Sequence, residues 1–266
     1  MSRGTAGHDG IAGRAAIRPD PRAFALPGLA LLGWWAAGRA GIADPHLLPS
    51  PGAVIRRAWS ETASGALPDA FAASFARDLA GFAIGATAGL AIGALLGLSR
   101  GAARLLGPGF LAWRQVALFA WVPLLALWFG SGETGKIASI AVAALAPAAV
   151  NTWQGMAALP PAYGELARAL GFRRRDTIRL IALPGALPAI ATGLHTALIY
   201  AWLATIGAEL FFNIAPGLAG RMNEGRETFQ MDLLLVYLVV LGGTGIALNA
   251  LAARLERLAR RRIAPA

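Results

Sequence analysis

Apolar residues along this chain are gathered into six long runs, which are separated by polar and turn-rich segments. The runs occupy residues 24–38, 79–98, 105–129, 137–153, 187–212 and 233–251. A helix needs about 20 consecutive apolar residues to cross the hydrocarbon core of a bilayer. The pattern predicts an all-α, polytopic membrane protein with six transmembrane helices, in which the first run is short and the third is interrupted by Arg114 and Pro123.

The second of these runs carries a regular glycine pattern. A glycine recurs at every fourth position, at Gly81, Gly85, Gly89, Gly93 and Gly97. Residues four apart lie on the same face of a helix. A face without side chains lets a neighbouring helix approach closely, which favours helix association in lipid. We therefore expect this face to be a helix-packing surface.

Residues 46–77, ahead of the second run, are predicted to form a loop on the outer side of the membrane. The segment opens with the turn-rich sequence LLPSPGAV, in which Pro49 and Pro51 disfavour a helix. Residues 53–63 follow with loosely helical apolar spacing. They form either a short amphipathic helix on the membrane surface or an ordinary loop.

The composition supports a location in the membrane. Of the 266 residues, 56% are hydrophobic and 14% are charged, whereas about a quarter of the residues in a soluble domain are charged. The net charge of +10 comes almost entirely from arginines that lie between the apolar runs. This placement is typical of topology control and contact with anionic lipids, and it does not favour nucleic-acid binding.

The arginines also predict an orientation. They cluster before the first run, between the second and third, between the fourth and fifth, and after the sixth. Six crossings place these segments on one side, which the positive-inside rule assigns to the cytoplasm. We expect a bacterial inner-membrane protein with both termini in the cytoplasm. Residues 1–23 would be a disordered tail without a signal peptide, 24–258 the transmembrane domain and 259–266 a basic tail.

Metal-binding and catalytic chemistry finds little support in the sequence. There is no cysteine, and His8, His46 and His195 are scattered, so no metal site, cofactor site or membrane-embedded catalytic cluster is predicted. The chain also lacks the G-x-x-x-x-G-K-[ST] loop that cradles the phosphates of ATP. We expect it not to be an enzyme.

The loop between the fourth and fifth runs, residues 160–185, has an organisation of its own. Its first helix starts at a Pro-Pro pair, and Glu165 lies in the first turn, where the helix dipole favours a carboxylate. Gly171 breaks this helix, a second short helix ends at a Leu-Pro pair, and Pro188 opens the next span. The pattern predicts a cytoplasmic helix–turn–helix, and a structured loop of this length is usually functional.

The spacing in this loop resembles the segment with which permeases of bacterial ATP-binding-cassette (ABC) importers contact their ATPase subunits. That pattern reads Glu-Ala-Ala, three residues, Gly, nine residues, Ile, one residue, Leu-Pro, and the present chain departs from it in having Leu166 as the second residue. The matching positions are Glu165, Ala167, Gly171, Ile181, Leu183 and Pro184. The resemblance implies that these residues couple the helices to the ATPase.

Other segments are similar to the nitrate/sulfonate/taurine permeases of that class, in order, from about residue 47 to residue 262. They include AGFAIGATAGLAIGALLGLSR, WVPLLALWFGSGETGKI and AWLATIGAEL, whereas RQVALFAWVP has fewer prolines than many members. The resemblance implies a permease homodimer, cytoplasmic ATPase subunits that hydrolyse the ATP, and a periplasmic or lipid-anchored substrate-binding protein. It implies a small organic anion as substrate, such as an aliphatic sulfonate or taurine. Nitrate, a thiamine precursor or another small solute are the alternatives.

Polar side chains within or near the apolar runs are candidates to line a translocation path. They are Asn151, Gln154, Trp202, Thr205 and Glu209. Glu209 is either such a residue or an interfacial carboxylate. Arg114 either attracts anions in the path or extends to the cytoplasmic interface.

A secondary transporter or channel is the alternative class of protein. Ion coupling in such a protein needs ionisable residues at membrane depth, or two related halves with broken helices. The apolar runs hold few charges and no internal repeat is evident, so the importer permease is the favoured interpretation.

Overall fold

The computed structural model describes residues 25–40, 44, 47–158, 160–212 and 217–263, and every regular element in these ranges is a helix. The predicted tail of residues 1–23 and residues 264–266 of the predicted basic tail lie outside the described residues. The chain divides into two compact units, one up to Pro51 and one from Gly52 onwards.

The first unit contains helix α1, Ala25–Arg39. Trp34 Nε1 donates a hydrogen bond of 3.0 Å to the carbonyl oxygen of Pro49, and the Arg39 guanidinium lies 4.9 Å from the centre of the Trp35 ring. With 15 residues, α1 is roughly 22 Å long, which is less than the ~30 Å of a bilayer core. The predicted count of six spans therefore stays a prediction.

The second unit is a bundle of helices. They are α2 Pro51–Ala63, α3 Ala66–Leu98, α4 Arg100–Trp113, α5 Leu118–Phe129, α6 Glu133–Ala157, α7 Pro161–Ala169, α8 Arg174–Thr177, α9 Leu183–Phe211, α10 Leu218–Glu227 and α11 Met231–Ile263. A π-helical turn, Ile178–Ala182, joins α8 to α9 without a break.

Among the described residues, four helical segments are long and apolar enough to cross a membrane: α3, α6, the continuous segment Arg174–Phe211, and α11. Taken together, helices α4 and α5 are also long and apolar enough to cross a membrane, although they meet at an angle of 97°. The predicted interruption of the third run is therefore confirmed at Arg114, and the number of spans that this run contributes stays a prediction. The break lies at residues 114–117, where a polar Arg-Gln pair interrupts the apolar run, whereas Pro123 lies inside α5.

Helices α3 and α6 lie side by side and run in the same direction. Gly81 in the first half of α3 faces Ile140, and Gly97 near its end faces Met156. Parallel neighbours need a connection that returns the chain to its starting side, and α4 with α5 supplies it. Helix α9 is antiparallel to α6, and α11 is antiparallel to α9.

The bundle consequently has two distinct ends. At the end we call the loop end, α3, α6 and α11 finish and α9 begins, with α7 and α8 in the connection. At the other, which we call the α10 end, α3, α6 and α11 begin and α9 leads towards α10. Arginines dominate the sequence near the loop end, whereas buried ion pairs link different helices at the α10 end.

The five glycines of α3 all face α6. A Cβ atom at Gly85 would overlap the backbone of Ala141, and one at Gly93 would overlap the backbone of Ala149. Helices α6 and α9 meet through buried alanines, which include Ala144, Ala148, Ala197 and Ala201. Small residues thus let three helix backbones approach closely, and this contact forms the centre of the bundle.

The helical alternative for residues 53–63 is confirmed, whereas the predicted loop is wrong at residues 66–77, which belong to α3. Residues 53–63 belong to α2, and Gly65, with a φ of 84°, makes the turn into α3. Helix α3 then starts at Ala66 rather than at residue 79, and its polar residues Ser74, Arg77 and Asp78 are buried inside the bundle instead of facing water. Helix α11 likewise continues past residue 251, since its arginine-rich end is compatible with a helix that leaves the apolar core.

Candidate functional site

The loop between α6 and α9 starts with the nine-residue helix α7 and turns at Gly171. Gly171 has a φ of 71°, in the left-handed region that favours glycine. The amide of Phe172 donates a hydrogen bond of 2.9 Å to the carbonyl oxygen of Ala167, a contact that terminates a helix. Asp176 then accepts a hydrogen bond of 3.2 Å from the amide of Arg173, which caps the start of α8.

The second predicted helix of this loop is not a separate element. Helix α8 runs through the π-helical turn into α9, so the predictions that Leu183 and Pro184 end a helix and that Pro188 opens a span are wrong. Proline cannot donate a backbone hydrogen bond, and its ring crowds the carbonyl group four residues earlier. The π-helical turn lies directly ahead of Pro184, and its wider backbone accommodates the proline without a break.

Helix α7 and the turn residue Leu170 that follows it present an apolar strip at the loop end. Tyr163, Leu166 and Leu170 are 50%, 53% and 60% exposed, whereas Ala167 is buried. Of the other predicted coupling positions, the exposed ones are Glu165, Gly171 and Leu183, and the partly buried ones are Ile181 and Pro184. The strip and its exposed carboxylate are suited to docking another protein.

Exposed arginines lie at the same end of the bundle as this surface. Arg173, Arg174, Arg175 and Arg179 follow α7 in the chain, and Arg100 and Arg104 follow α3 at the same end of the bundle. The loop end thus combines apolar contact area with positive charge.

A polar cavity lies where α4 gives way to α5. It has a volume of about 340 Å³, and its polar lining residues are Arg114, Gln115, Asn151, Thr196 and Tyr200. A smaller cavity of about 110 Å³ adjoins it and includes the indole rings of Trp113 and Trp121. The structure therefore brings Asn151 and Arg114 together, while Gln154 lies on α6 beyond the cavity and is exposed.

Three other side chains predicted for the path are packed inside the bundle. Trp202 Nε1 donates a hydrogen bond of 3.3 Å to the carbonyl oxygen of Leu241. The hydroxyl of Thr205 lies 3.2 Å from a carboxylate oxygen of Asp78. Glu209 is 3% exposed. A role for these three residues in translocation stays a prediction.

Glu209 is the centre of a buried cluster at the α10 end. Its carboxylate accepts hydrogen bonds from the Ser74 hydroxyl at 2.6 Å, the Arg77 guanidinium at 2.8 Å and the amide of Ala219 at 2.9 Å. The Ser74 hydroxyl in turn accepts one of 2.8 Å from the amide of Leu218. A carboxylate is favoured at the start of a helix, so Glu209 holds α10 against α3.

Sequence reasoning missed the buried charged side chains at the α10 end. Arg77, Asp78 and Lys136 are buried, although the apolar pattern places them in loops. Arg77 binds Glu133 at 2.9 Å, and Lys136 Nζ lies 3.6 Å from the same carboxylate. The interpretation that few charges are buried is therefore wrong at the α10 end. One signal was available, because Arg77 lies four residues before Gly81 and continues the period of the packed face.

A second polar cluster joins α2 to α10 and α11. Glu61 accepts hydrogen bonds of 2.9 Å from both Arg221 and Tyr237. Burial alone would raise the pKa of Glu61, but these hydrogen bonds and the neighbouring guanidinium groups outweigh it and hold the pKa below its ordinary value. The pKa of Arg221 is raised, first by its contact with Tyr237 and also by Glu61.

Comparison with known sequences finds components of membrane transport systems. Residues 85–265 match the profile of the family described as binding-protein-dependent transport system inner membrane component. The chain is 37% identical over 225 residues to the putative aliphatic sulfonates transport permease protein SsuC of Escherichia coli (strain K12). This alignment covers 85% of each of the two chains. It is 35% identical over 231 residues to the riboflavin transport system permease protein RibX of Chloroflexus aurantiacus, over 86% of this chain and 85% of the relative.

Comparison with solved structures also finds a membrane transporter. A solved structure of the MetNI methionine ABC transporter, in inward-facing conformations, superposes with a TM-score of 0.59 at 19% sequence identity. The match covers 70% of this chain and 93% of the matched chain. Over the matched part, this chain therefore shares the fold of a chain from an ABC transporter.

Proposed function

Because this chain belongs to the family of inner membrane components of binding-protein-dependent transport systems, the permeases of ABC importers, we propose that it carries a small organic anion across the inner membrane. The proposed substrate is an aliphatic sulfonate or a taurine-like compound. One observation carries the proposal of an ATP-driven permease: the exposed surface around Glu165, whose spacing to Gly171 and to the Leu-Pro pair of α9 follows the ATPase-contacting pattern.

The loop end faces the cytoplasm in this proposal, and the α10 end faces the periplasm. The distribution of arginines supports this orientation, since Arg100, Arg104 and the arginines of α8 all lie at the loop end. The C-terminal end of α11 lies there too. The N-terminus is cytoplasmic as well if α1 crosses the membrane.

A cytoplasmic ATPase subunit docks on α7. The apolar side chains of Leu166 and Leu170 enter its surface, and Glu165 makes a polar contact at the edge. Because α8 is continuous with α9, a displacement of the docked loop is transmitted directly to a spanning helix. ATP is hydrolysed on the ATPase subunit, and this chain converts the resulting movement into a change of access.

The complete transporter contains two copies of this chain, two ATPase subunits and a periplasmic or lipid-anchored binding protein. Docking of the binding protein at the α10 end fits the proposed orientation. The buried ion pairs there keep α3, α6, α9 and α10 together as one body during transport.

The choice of substrate rests on two observations. The sulfonate relative has 37% identity to this chain, and the cavity at the α4–α5 break places Arg114 beside neutral hydrogen-bonding side chains. The 35% identity to a riboflavin permease makes riboflavin the second candidate. Nitrate, a thiamine precursor or another small solute are the further alternatives.

The test is reconstitution of the tagged chain with the ATPase and binding protein encoded beside it. The complex is purified from membranes, placed in liposomes, and assayed for uptake of labelled ethanesulfonate, taurine, nitrate and riboflavin with and without ATP. We expect copurification of the ATPase subunit and ATP-dependent uptake of a sulfonate. Transport by this chain alone without ATP would instead identify a secondary transporter or channel, and uptake of riboflavin alone would replace the substrate.

A further inference from the structure

We propose that the cavity at the break between α4 and α5 is an anion-binding station on the translocation path, in which Arg114 selects organic anions over neutral solutes. The inference rests on the proposed function. It assigns a residue and a ligand chemistry to a site that sequence similarity leaves open.

The position of the cavity fits a station on a path. Pro147 and Thr196, which line it, lie near the middle of α6 and α9, far from both ends of the bundle. The backbone at residues 114–117 leaves helical geometry at the same place. Non-helical backbone at membrane depth is stable where it lines a water-filled cavity, and broken helices in transporters commonly form substrate sites.

The charge of the lining selects for anions. Arg114 is the one charged residue among those that line the two adjoining cavities, and no carboxylate belongs to either lining. In the part of the chain that the structure describes, Arg114 forms no ion pair. A guanidinium in this setting attracts an oxyanion and can donate two parallel hydrogen bonds to it.

Neutral side chains complete the polar compartment. Asn151 uses one amide hydrogen on the carbonyl oxygen of Pro147, at 2.9 Å, which fixes its orientation and leaves its second amide hydrogen for a ligand. Thr196 donates its hydroxyl hydrogen to the carbonyl oxygen of Thr192, so it offers a ligand only an acceptor. Tyr200 and Gln115 supply further donors.

The adjoining cavity is suited to an apolar part of the ligand. It shares Arg114 and Tyr200 with the polar cavity, but Trp113, Trp121 and Val142 give it an apolar wall. A molecule with an oxyanion head and a short apolar chain would occupy both compartments. Alkanesulfonates have this form, whereas nitrate would fill the polar compartment alone.

Direct binding to the assembled transporter tests the site. The complex in nanodiscs is titrated with ethanesulfonate, with its neutral analogue ethyl methyl sulfone, and with nitrate. Binding is followed by tryptophan fluorescence, and the Trp113→Phe variant assigns the signal. We expect ethanesulfonate to bind more tightly than the sulfone, and Arg114→Gln to weaken ethanesulfonate binding on the order of 10- to 100-fold without changing sulfone binding.

The control variants distinguish loss of the positive charge at Arg114 from a general loss of folding. Arg104→Gln removes an exposed arginine of α4 at the loop end and should bind as the wild type does, while Arg114→Lys should retain a preference for the anion. Asn151→Leu provides a second weakened site if Arg114→Gln is poorly folded. Equal binding by wild type and Arg114→Gln, or no binding of ethanesulfonate to the wild type, overturns the inference. ATP-dependent uptake by the wild-type complex decides the proposed function independently of either result.

Discussion

The guanidinium of Arg77 on α3 lies 2.8 Å from the carboxylate of Glu209 on α9, although 132 positions separate the two residues in the chain. Their side chains are 7% and 1% exposed. The same guanidinium also binds Glu133 at the start of α6, so one side chain connects three spanning helices. Loss of one partner from a buried ion pair is strongly destabilising, because the other charge stays buried without compensation.

Replacement of Arg77 by methionine should therefore lower the free energy of unfolding by about 3–5 kcal/mol. The methionine retains much of the apolar volume, so the loss reports on the charge. Unfolding of the purified protein in mixed detergent micelles measures it.

A matched variant and a double variant define this effect. Arg56→Met removes an exposed arginine of α2 and should leave stability nearly unchanged. The double variant Arg77→Met/Glu209→Gln should lose at least about 1 kcal/mol less than the sum of the two single losses, as expected for groups in contact. Additive losses would show that the two residues do not stabilise each other.

The glycine face of α3 predicts a severe packing defect. A Cβ atom at Gly89 would lie 2.6 Å from the carbonyl oxygen of Leu145 and 2.7 Å from Cβ of Ala148. Gly89→Leu should separate α3 from α6 and reduce the yield of monodisperse protein, measured by size-exclusion chromatography after extraction. Gly243→Leu on α11, where a Cβ meets open space, is the control, and equal yields for both variants would contradict the packing role.

The turn at Gly171 predicts a coupling defect that depends on backbone conformation. Gly171→Ala places a Cβ on a residue with a φ of 71°, which costs roughly 1–2 kcal/mol for an L residue and reorients α7. Copurification of the ATPase subunit and ATP-dependent uptake should both fall. Glu165→Lys, which reverses the exposed charge, should have the same effect without changing the turn.

Gly164→Ala is the matched control for Gly171→Ala. Both positions have open space around the added methyl group, but Gly164 has ordinary helical backbone, where alanine is favoured. The ATPase should copurify with Gly164→Ala as with the wild type. If both variants lose it, contact area rather than turn geometry governs docking.

The Glu61 cluster predicts sensitivity to acid. The pKa of Glu61 lies below its ordinary value of 4.5, because hydrogen bonds from Arg221 and Tyr237 outweigh the effect of burial. The ionised carboxylate therefore stabilises the folded state above pH 4.5, and this contribution is lost as the pH falls through the lowered pKa. The apparent Tm of the wild type should fall in that acidic range more steeply than that of Glu61→Gln.

A variant of the partner tests the cause of this acid sensitivity. Arg221→Gln removes the principal donor to Glu61 and should flatten the same part of the pH profile. Arg56→Gln changes an exposed arginine that makes no contact with Glu61 among the described residues, and it should keep the profile of the wild type. A steep acidic decline in Glu61→Gln would assign the sensitivity to other groups.

The sequence predicts the features that depend on local periodicity. The apolar runs become α3, α6, α9 and α11, because a bilayer selects long apolar helices and their length is visible in the chain. The glycines recur at helical spacing, and the structure places them against α6. Helix α7 and the turn at Gly171 lie where the proline pair and the glycine indicate them.

Contacts between residues that are far apart in the chain cannot be predicted from the pattern of apolar and polar positions. Arg77 looks like a loop residue, because its carboxylate partners Glu133 and Glu209 belong to other helices. In the sequence, the 97° bend between α4 and α5 is marked only by the polar residues at Arg114, which do not indicate the angle. The cavity itself combines side chains of three segments, so Asn151 was a plausible path residue without an identifiable partner.

The parallel pairing of α3 and α6 imposes an order on biosynthesis. Helix α3 is complete at Leu98, but its partner ends only at Ala157, so roughly 60 further residues must leave the ribosome before the glycine face is covered. At about 5–20 residues per second, this interval lasts roughly 3–12 s. Arg77 lacks both of its carboxylate partners until Glu133 emerges, and Glu209 follows only later with α9. Translation that stalls before Glu133 would thus leave an incomplete membrane segment for cellular quality control to recognise.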